Sequence, residues 1–125
     1  MFLNINIDYD MSNNSLMAVS PIDGRYQKQV AELGQYFSEY ALIKYRIRVE
    51  IEYFISLCNI PLPQLEGFNK DNFAALRDIY NTFTPENAEE VKEIEKVTNH
   101  DVKAVEYYIK KKFRKMSKKE YKKNI

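Results

Sequence analysis

The segment from Ser38 to Leu57 constrains the fold more than any other part of the sequence, because two periodicities compete in it. From Tyr45 to Tyr53 apolar and charged residues alternate, and taken alone this alternation predicts a half-buried strand. The apolar-rich segment runs for about twenty residues, however, which is too long for an ordinary strand. Two Arg–Glu pairs are also spaced to pair along one helix face: Arg46 with Glu50, and Arg48 with Glu52.

The ends of this segment favour the helix as well. Ser38 is a suitable N-cap, and Asn59 followed by Pro61 is a suitable end. We therefore predict a helix from Ser38 to about Leu57, with the neighbouring tyrosines packing in the core or at an interface (Tyr36, Tyr40, Tyr45 and Tyr53).

Three further amphipathic helices are predicted downstream. Apolar residues recur at helical spacing from Asp71 to Thr82, which predicts a short helix there. Thr84-Pro85-Glu86 is a strong start signal for a second helix that runs to about Val97. Asp101 is predicted to cap the third, whose apolar stripe continues to Phe113. The predicted class is all-α, without internal repeats.

Composition limits the possible functions. The 125 residues suit one domain, and a net charge of +1 gives no global argument for nucleic acid. Nine basic residues and one acid fall between Lys110 and Ile125, where a solvated tail or the end of a helix is the simplest explanation.

Cys58 is the only cysteine, so an internal disulfide is excluded and we expect it to fill the core in a cytoplasmic protein. We find no signal peptide and no apolar run that suits a membrane span.

One candidate binding site is Asn99-His100-Asp101, at a predicted helix N-terminus. His100 is the only histidine, and it offers hydrogen bonds and proton exchange near neutral pH. Backbone N–H groups at a helix start favour an anionic ligand. On the residues alone, a helix cap with an incidental surface histidine is the simpler interpretation.

A second candidate is the turn Ser20 to Tyr26, in which Pro and Asp-Gly favour an ordered bend. Arg25 could hold a carboxylate or phosphate, and Tyr26 adds a hydroxyl group or a stacking face. An ordinary turn with a solvated arginine is again the simpler interpretation. We predict no metal site, because no set of residues has the spacing of metal ligands.

Together with their surroundings, these motifs resemble the bacterial adenylosuccinate lyases of the fumarase and aspartase superfamily. The similar blocks are Ala18–Tyr26, Tyr36–Tyr40 with Lys44–Arg46, and Thr98–Tyr107, in family order and at family-like spacing. The resemblance implies an all-α N-terminal domain that precedes a central helix bundle. It implies cleavage of fumarate from adenylosuccinate, giving AMP, and from the succinyl carboxamide ribotide of purine synthesis. It further implies a cytoplasmic homotetramer that needs no metal or organic cofactor.

The resemblance also assigns residues. Arg25 and Tyr26 match the family's substrate-contacting Arg-Tyr pair, and Asn99, His100 and Asp101 match its substrate-contacting Asn-His-Asp. His100 is a weak candidate for proton transfer, because the family's stronger acid and base are a later His and a Ser on a mobile loop. We predict a leader at residues 1–15, a helical lyase domain at 16–113 and a basic tail at 114–125.

The resemblance covers about the first quarter of a typical member, so we expect a fragment that does not turn over alone. One alternative is an inactive helical piece that acts through protein association. Another is a different superfamily member, such as an argininosuccinate lyase, against which the Thr98–Tyr107 block argues.

Overall fold

The computed structural model describes residues 15–60 and 62–123, with side chains up to residue 117. Over these residues it contains helices and turns but no strand, and the all-α prediction is confirmed. The six α-helices are α1 (Gln27–Val30), α2 (Gly34–Phe37), α3 (Glu39–Asn59), α4 (Phe73–Asn81), α5 (Pro85–Thr98) and α6 (Asp101–Lys123). Short 3-10 turns lie at Ser15–Met17, Ala31–Leu33, Pro63–Leu65 and Lys70–Asn72.

The chain divides into two compact units, Met1–Gln35 and Tyr36–Ile125. In the described part of the first unit, turns at residues 21–26 lead into the single turn of α1, and no residue there is buried. The predicted leader lies outside the described residues except for Ser15, which begins a 3-10 turn. The second unit contains the core.

Helix α3 confirms the helical interpretation of the ambiguous segment. The Ser38 Oγ accepts the N–H of Ala41 at 3.2 Å, as expected of an N-cap. Burial follows the helical period rather than alternation, because Ile47 and Ile51 are buried whereas Val49 between them is 65% exposed. The close ion pairs of Arg46 and Glu52 are formed with other helices, and of the two predicted pairs Arg48 with Glu52 persists as a weaker charge interaction.

The core forms where α3, α4, α5 and α6 pack together. One isoleucine face of α3 supplies its centre, and the other helices add Leu76, Val91, Val105 and Tyr108. Cys58 is buried, as predicted. Of the four tyrosines near α3, Tyr40 packs against the core and donates its hydroxyl to the Phe83 carbonyl at 2.8 Å. The other three are exposed and do not fill the core: Tyr36, Tyr45 and Tyr53.

The start of α5 follows the sequence signal closely. The Thr84 Oγ1 accepts the Asn87 N–H at 3.3 Å, and the Asn87 side chain accepts the Thr84 N–H in return. Helix α4 begins two residues later than predicted, because a 3-10 turn occupies Lys70–Asn72. None of the helices in the described part of the chain combines the length and apolar character that a membrane crossing requires.

Helix α6 differs from its prediction at both ends. Its first residue is Asp101, so His100 and not Asp101 occupies the capping position. The backbone stays helical to Lys123, so most of the predicted basic tail continues α6. Val105 and Tyr108 of the predicted apolar stripe are buried. Their burial holds the first turns of α6 against the core.

Candidate functional site

The candidate site in the second unit is the corner between α5 and α6. Asn99 ends α5 in the left-handed conformation, with φ 50° and ψ 33°, and its N–H donates to the Glu95 carbonyl at 2.7 Å. Asparagine tolerates this conformation better than most residues with a Cβ. The left-handed residue reverses the chain within one step, so α6 can start two residues later.

Thr98 and His100 close the corner with local hydrogen bonds. The Thr98 hydroxyl lies 3.1 Å from the His100 carbonyl oxygen and 3.4 Å from the His100 backbone nitrogen. The Nδ1 atom of His100 accepts the Lys103 N–H at 3.2 Å, so the imidazole ring caps α6. An Nδ1 atom that accepts carries no proton, and the neutral ring therefore presents Nε2–H as a donor. The His100 side chain is 63% exposed.

Asp101 is engaged at both carboxylate oxygens. One oxygen accepts the N–H of Val102 at 2.8 Å, and the other accepts Nη1 of Arg46 at 2.6 Å. The backbone hydrogen bond from Val102, followed by the hydrogen bond from Arg46, lowers the pKa of Asp101. Asp101 is therefore a charged brace between α3 and α6, and its oxygens are occupied within the protein.

Three of the N–H groups at the start of α6 already have acceptors within the protein. The N–H groups of Val102, Lys103 and Ala104 each donate to an acceptor of His100 or Asp101. Exposed side-chain groups with anion-binding chemistry at this corner include the Nε2–H of His100 and the amide of Asn99. Ligand recognition here would thus rest on side chains.

Arg25 and Tyr26 lie in the first unit, in the turn before α1. The Tyr26 N–H donates to the Pro21 carbonyl at 2.8 Å, and the Arg25 guanidinium carbon lies 5.2 Å from the centre of the Tyr26 ring. Gly24 is needed for this turn, because a Cβ atom there would lie 2.4 Å from the carbonyl oxygen of Ser15. The predicted ordered bend is thus present, and it keeps the Arg-Tyr pair together on an exposed surface.

The second unit contains a groove whose lining includes none of the five predicted site residues. It is an apolar groove of about 290 Å³ between α3, α4 and α6, lined mainly by Ile51, Phe54, Phe68, Leu76, Ile109 and Phe113. Such a lining offers few groups that could orient a charged ligand. We therefore base the candidate site on the two polar clusters and not on this groove.

Two residues contribute to the corner that the sequence did not identify as site residues. Thr98 bonds across the turn, and Arg46 reaches Asp101 from α3. Arg46 belongs to one of the blocks similar to the lyases, but its partner is 55 positions away and no local spacing predicts the pair. The hydroxyl of Thr98 could have been recognised, because Ser and Thr often bond to the backbone beside a helix end.

Comparison with known proteins identifies relatives of one kind. The chain is 59% identical over 101 residues to the adenylosuccinate lyase of Dictyostelium discoideum. That match covers 79% of the chain and 22% of the relative. It is 48% identical over 104 residues to that of Legionella pneumophila (strain Corby) and 44% identical over 103 residues to that of Escherichia coli (strain K12). Each of these two matches covers 82% of the chain and 23% of the relative. No protein-family model matches the chain.

Proposed function

We propose that this chain, which is related by sequence to adenylosuccinate lyases, is a segment of such a lyase and carries part of its substrate-binding site. The observation that supports the proposal is an identity of 40% to 59% with adenylosuccinate lyases over about four fifths of the chain. The chain spans less than a quarter of those relatives, so the activity, substrates and assembly of the whole protein are part of the proposal.

The proposed reaction of the whole protein is a β-elimination that releases fumarate from adenylosuccinate, or from the succinyl carboxamide ribotide. A base removes a proton beside a carboxylate, and an acid protonates the departing nitrogen. Negative charge develops on that carboxylate, so fixed donors around it lower the barrier. We further propose that the enzyme works in cytoplasmic purine synthesis as a homotetramer, without a metal or organic cofactor.

Within this chain, the proposed substrate contacts are Arg25, Tyr26, Asn99 and His100. The Nε2–H of His100 and the amide of Asn99 are exposed donors that suit a carboxylate or phosphate oxygen. Arg25 adds a fixed positive charge that suits the same groups. Asp101 completes the proposed set as a brace, since both of its oxygens already accept hydrogen bonds.

The 125 residues by themselves are proposed to bind substrate weakly without turning it over. The sequence contains a single histidine, and the resemblance to the family places the acid and base on a later His and a Ser. Steady release of fumarate by the purified chain would contradict this part of the proposal, because it would require an acid and a base among these residues.

The binding part is tested by titrating the chain with adenylosuccinate and following the heat of binding. Two variants keep the fold of the corner: Asn99→Gly preserves the left-handed residue, and His100→Asn preserves a helix cap. Each should weaken binding about tenfold, since Asn99→Gly removes the exposed amide and His100→Asn replaces the outward Nε2–H by a shorter side chain with less reach. The control Asn81→Gly removes the same amide from the end of α4 and should leave the affinity unchanged. Equal effects in all three variants would contradict the proposed contacts.

A second candidate function is association with another protein through α3. One side of this helix carries apolar residues that remain exposed in the second unit, namely Leu42, Tyr45, Val49 and Tyr53. Exposed apolar surface of this kind favours association. Sedimentation of the chain tests it: a monomer at all concentrations up to about 100 μM, a range in which weak protein contacts become populated, would exclude self-association.

A further inference from the structure

We propose that Arg46 is a positioning residue of the α5–α6 corner, which fixes and neutralises Asp101 so that His100 presents its Nε2–H to an anionic ligand. The inference rests on the proposed function for the identity of the ligand. Its structural part, the control of the His100 ring, can be tested with no ligand present.

Arg46 connects the corner mechanically to the core. It lies in α3 between the buried residues Ile43 and Ile47, so its backbone is held by the core. Its Nη1 atom reaches Asp101 at 2.6 Å, across 55 positions of sequence. The other hydrogen bonds we describe at this corner join residues at most four positions apart. Arg46 therefore ties a locally bonded turn to the core of the second unit.

Arg46 also acts electrostatically at the corner. The Oδ1 atom of Asp101 lies 3.8 Å from Nδ1 of His100, so a carboxylate charge stands beside the proposed anion-binding donor. A negative charge at that distance repels a carboxylate or phosphate ligand. The guanidinium group of Arg46 offsets this charge, and it remains charged at all ordinary pH values. Without Arg46 the Asp101 carboxylate next to His100 would lose its ion-pair partner.

The ion pair of Arg46 with Asp101 also influences which nitrogen of the His100 ring carries the proton. With Asp101 held by Arg46 and Val102, Nδ1 of His100 accepts the Lys103 N–H, and the proton of the neutral ring is on Nε2. An unrestrained carboxylate 3.8 Å from Nδ1 would favour a proton on that nitrogen instead. Release of Asp101 thus removes the cap of α6 and the donor that faces outward.

An ordinary exposed ion pair is the competing explanation. The side chains of Arg46 and Asp101 are 32% and 48% exposed, and pairs of this exposure stabilise proteins little. Such a pair would influence the melting temperature slightly. It would leave the imidazole tautomer and the affinity for an anion unchanged, and these two readouts separate the explanations.

The first measurement is the tautomer of His100, from the nitrogen-15 shifts of its ring at about pH 9, where ordinary imidazole is neutral. The single histidine of the chain makes the signals unambiguous. We expect Nε2–H in the unaltered chain, a shift toward Nδ1–H in Arg46→Gln, and an intermediate ratio in Arg46→Lys. The matched control is Arg48→Gln, which removes the same charge from α3 but acts on Glu52 and the Tyr80 ring instead of on Asp101.

The second measurement is binding of adenylosuccinate to the same four proteins. Arg46→Gln should weaken it about tenfold and Arg46→Lys about threefold, while Arg48→Gln should leave it unchanged. An unchanged tautomer in Arg46→Gln, or equal weakening by Arg46→Gln and Arg48→Gln, would overturn the role of Arg46. If Arg46→Gln does not fold, Arg46→Lys decides by the same criteria. Failure of the unaltered chain to bind adenylosuccinate would contradict the proposed function, and the tautomer comparison would then decide on Arg46.

Discussion

The carboxylate of Glu52 joins α3 to α4, and its replacement should weaken the protein in a pH-dependent way. Glu52 accepts Nε and Nη2 of Arg77 at 2.8 and 3.0 Å, and it accepts the hydroxyl group of Tyr80 at 2.7 Å. The hydrogen bond from Arg77 is the largest cause, and the one from Tyr80 the second, of a pKa lowered from 4.5 to about 2. The perturbation we choose is Glu52→Gln, which keeps the shape and removes the charge.

The magnitude follows from the lowered pKa. One pKa unit corresponds to about 1.4 kcal/mol, so the upper bound for the charge of Glu52 is about 3 kcal/mol. The side chains of Glu52 and Arg77 are 38% and 43% exposed, and solvent screening reduces the expected contribution to about 1 kcal/mol. Because the folded pKa is depressed, this stability is fully present above the unfolded pKa of 4.5. It is lost as pH falls toward 2, with more than half lost by about pH 3.

The assay is urea unfolding of both proteins at pH 7 and pH 3. We expect Glu52→Gln to lower the free energy of unfolding by about 1 kcal/mol at pH 7, and by less than half of that at pH 3. The control is Glu93→Gln, whose partner Lys96 is 70% exposed, and it should change the stability little at either pH. A Glu52→Gln effect of equal size at both pH values would refute the reasoning, because it could not come from the charge.

Three further predictions concern the core and the turns. Ile47→Ala should lower the free energy of unfolding by about 3 kcal/mol in urea, because Ile47 is fully buried and leaves a cavity. Thr84→Ala should lower it by about 1 kcal/mol in the same assay, since the Asn87 N–H loses its acceptor. Gly24→Ala should open the turn before α1, because the new Cβ atom would clash with the Ser15 carbonyl. Faster amide exchange at residues 22–26 would reveal that opening.

The helices were predictable because local physics determines them. The length of α3 and its Ser38 cap excluded a strand, and the exposed Val49 shows why the alternation was misleading. Alternating positions included residues from both faces of the helix, whereas the buried isoleucines recur every four residues. The Thr84-Pro85 start of α5 was equally local and was located to the residue.

The residues that form the corner were predictable, but their hydrogen-bond and ion-pair partners were not. The sequence indicated a turn at Asn99-His100-Asp101, but it assigned the cap of α6 to Asp101, a residue type that often caps. His100 takes that position because the left-handed Asn99 brings its ring over the Lys103 N–H. The partner of Asp101 is Arg46, which folding brings from 55 positions away, and no periodicity in the sequence records it. Substrate contact by these residues is a prediction that rests on the resemblance to the lyases.

The central claim is that His100 and its neighbours bind an adenylosuccinate-like anion, and proton–proton Overhauser effects between ligand and protein test it most directly. The two carbon-bound ring protons of His100 are the only imidazole signals in the chain, so their contacts can be assigned without ambiguity. We predict effects between these protons and the succinyl or ribose protons of bound adenylosuccinate. Bound adenylosuccinate that contacts other residues and leaves the His100 protons without any such effect would contradict the account.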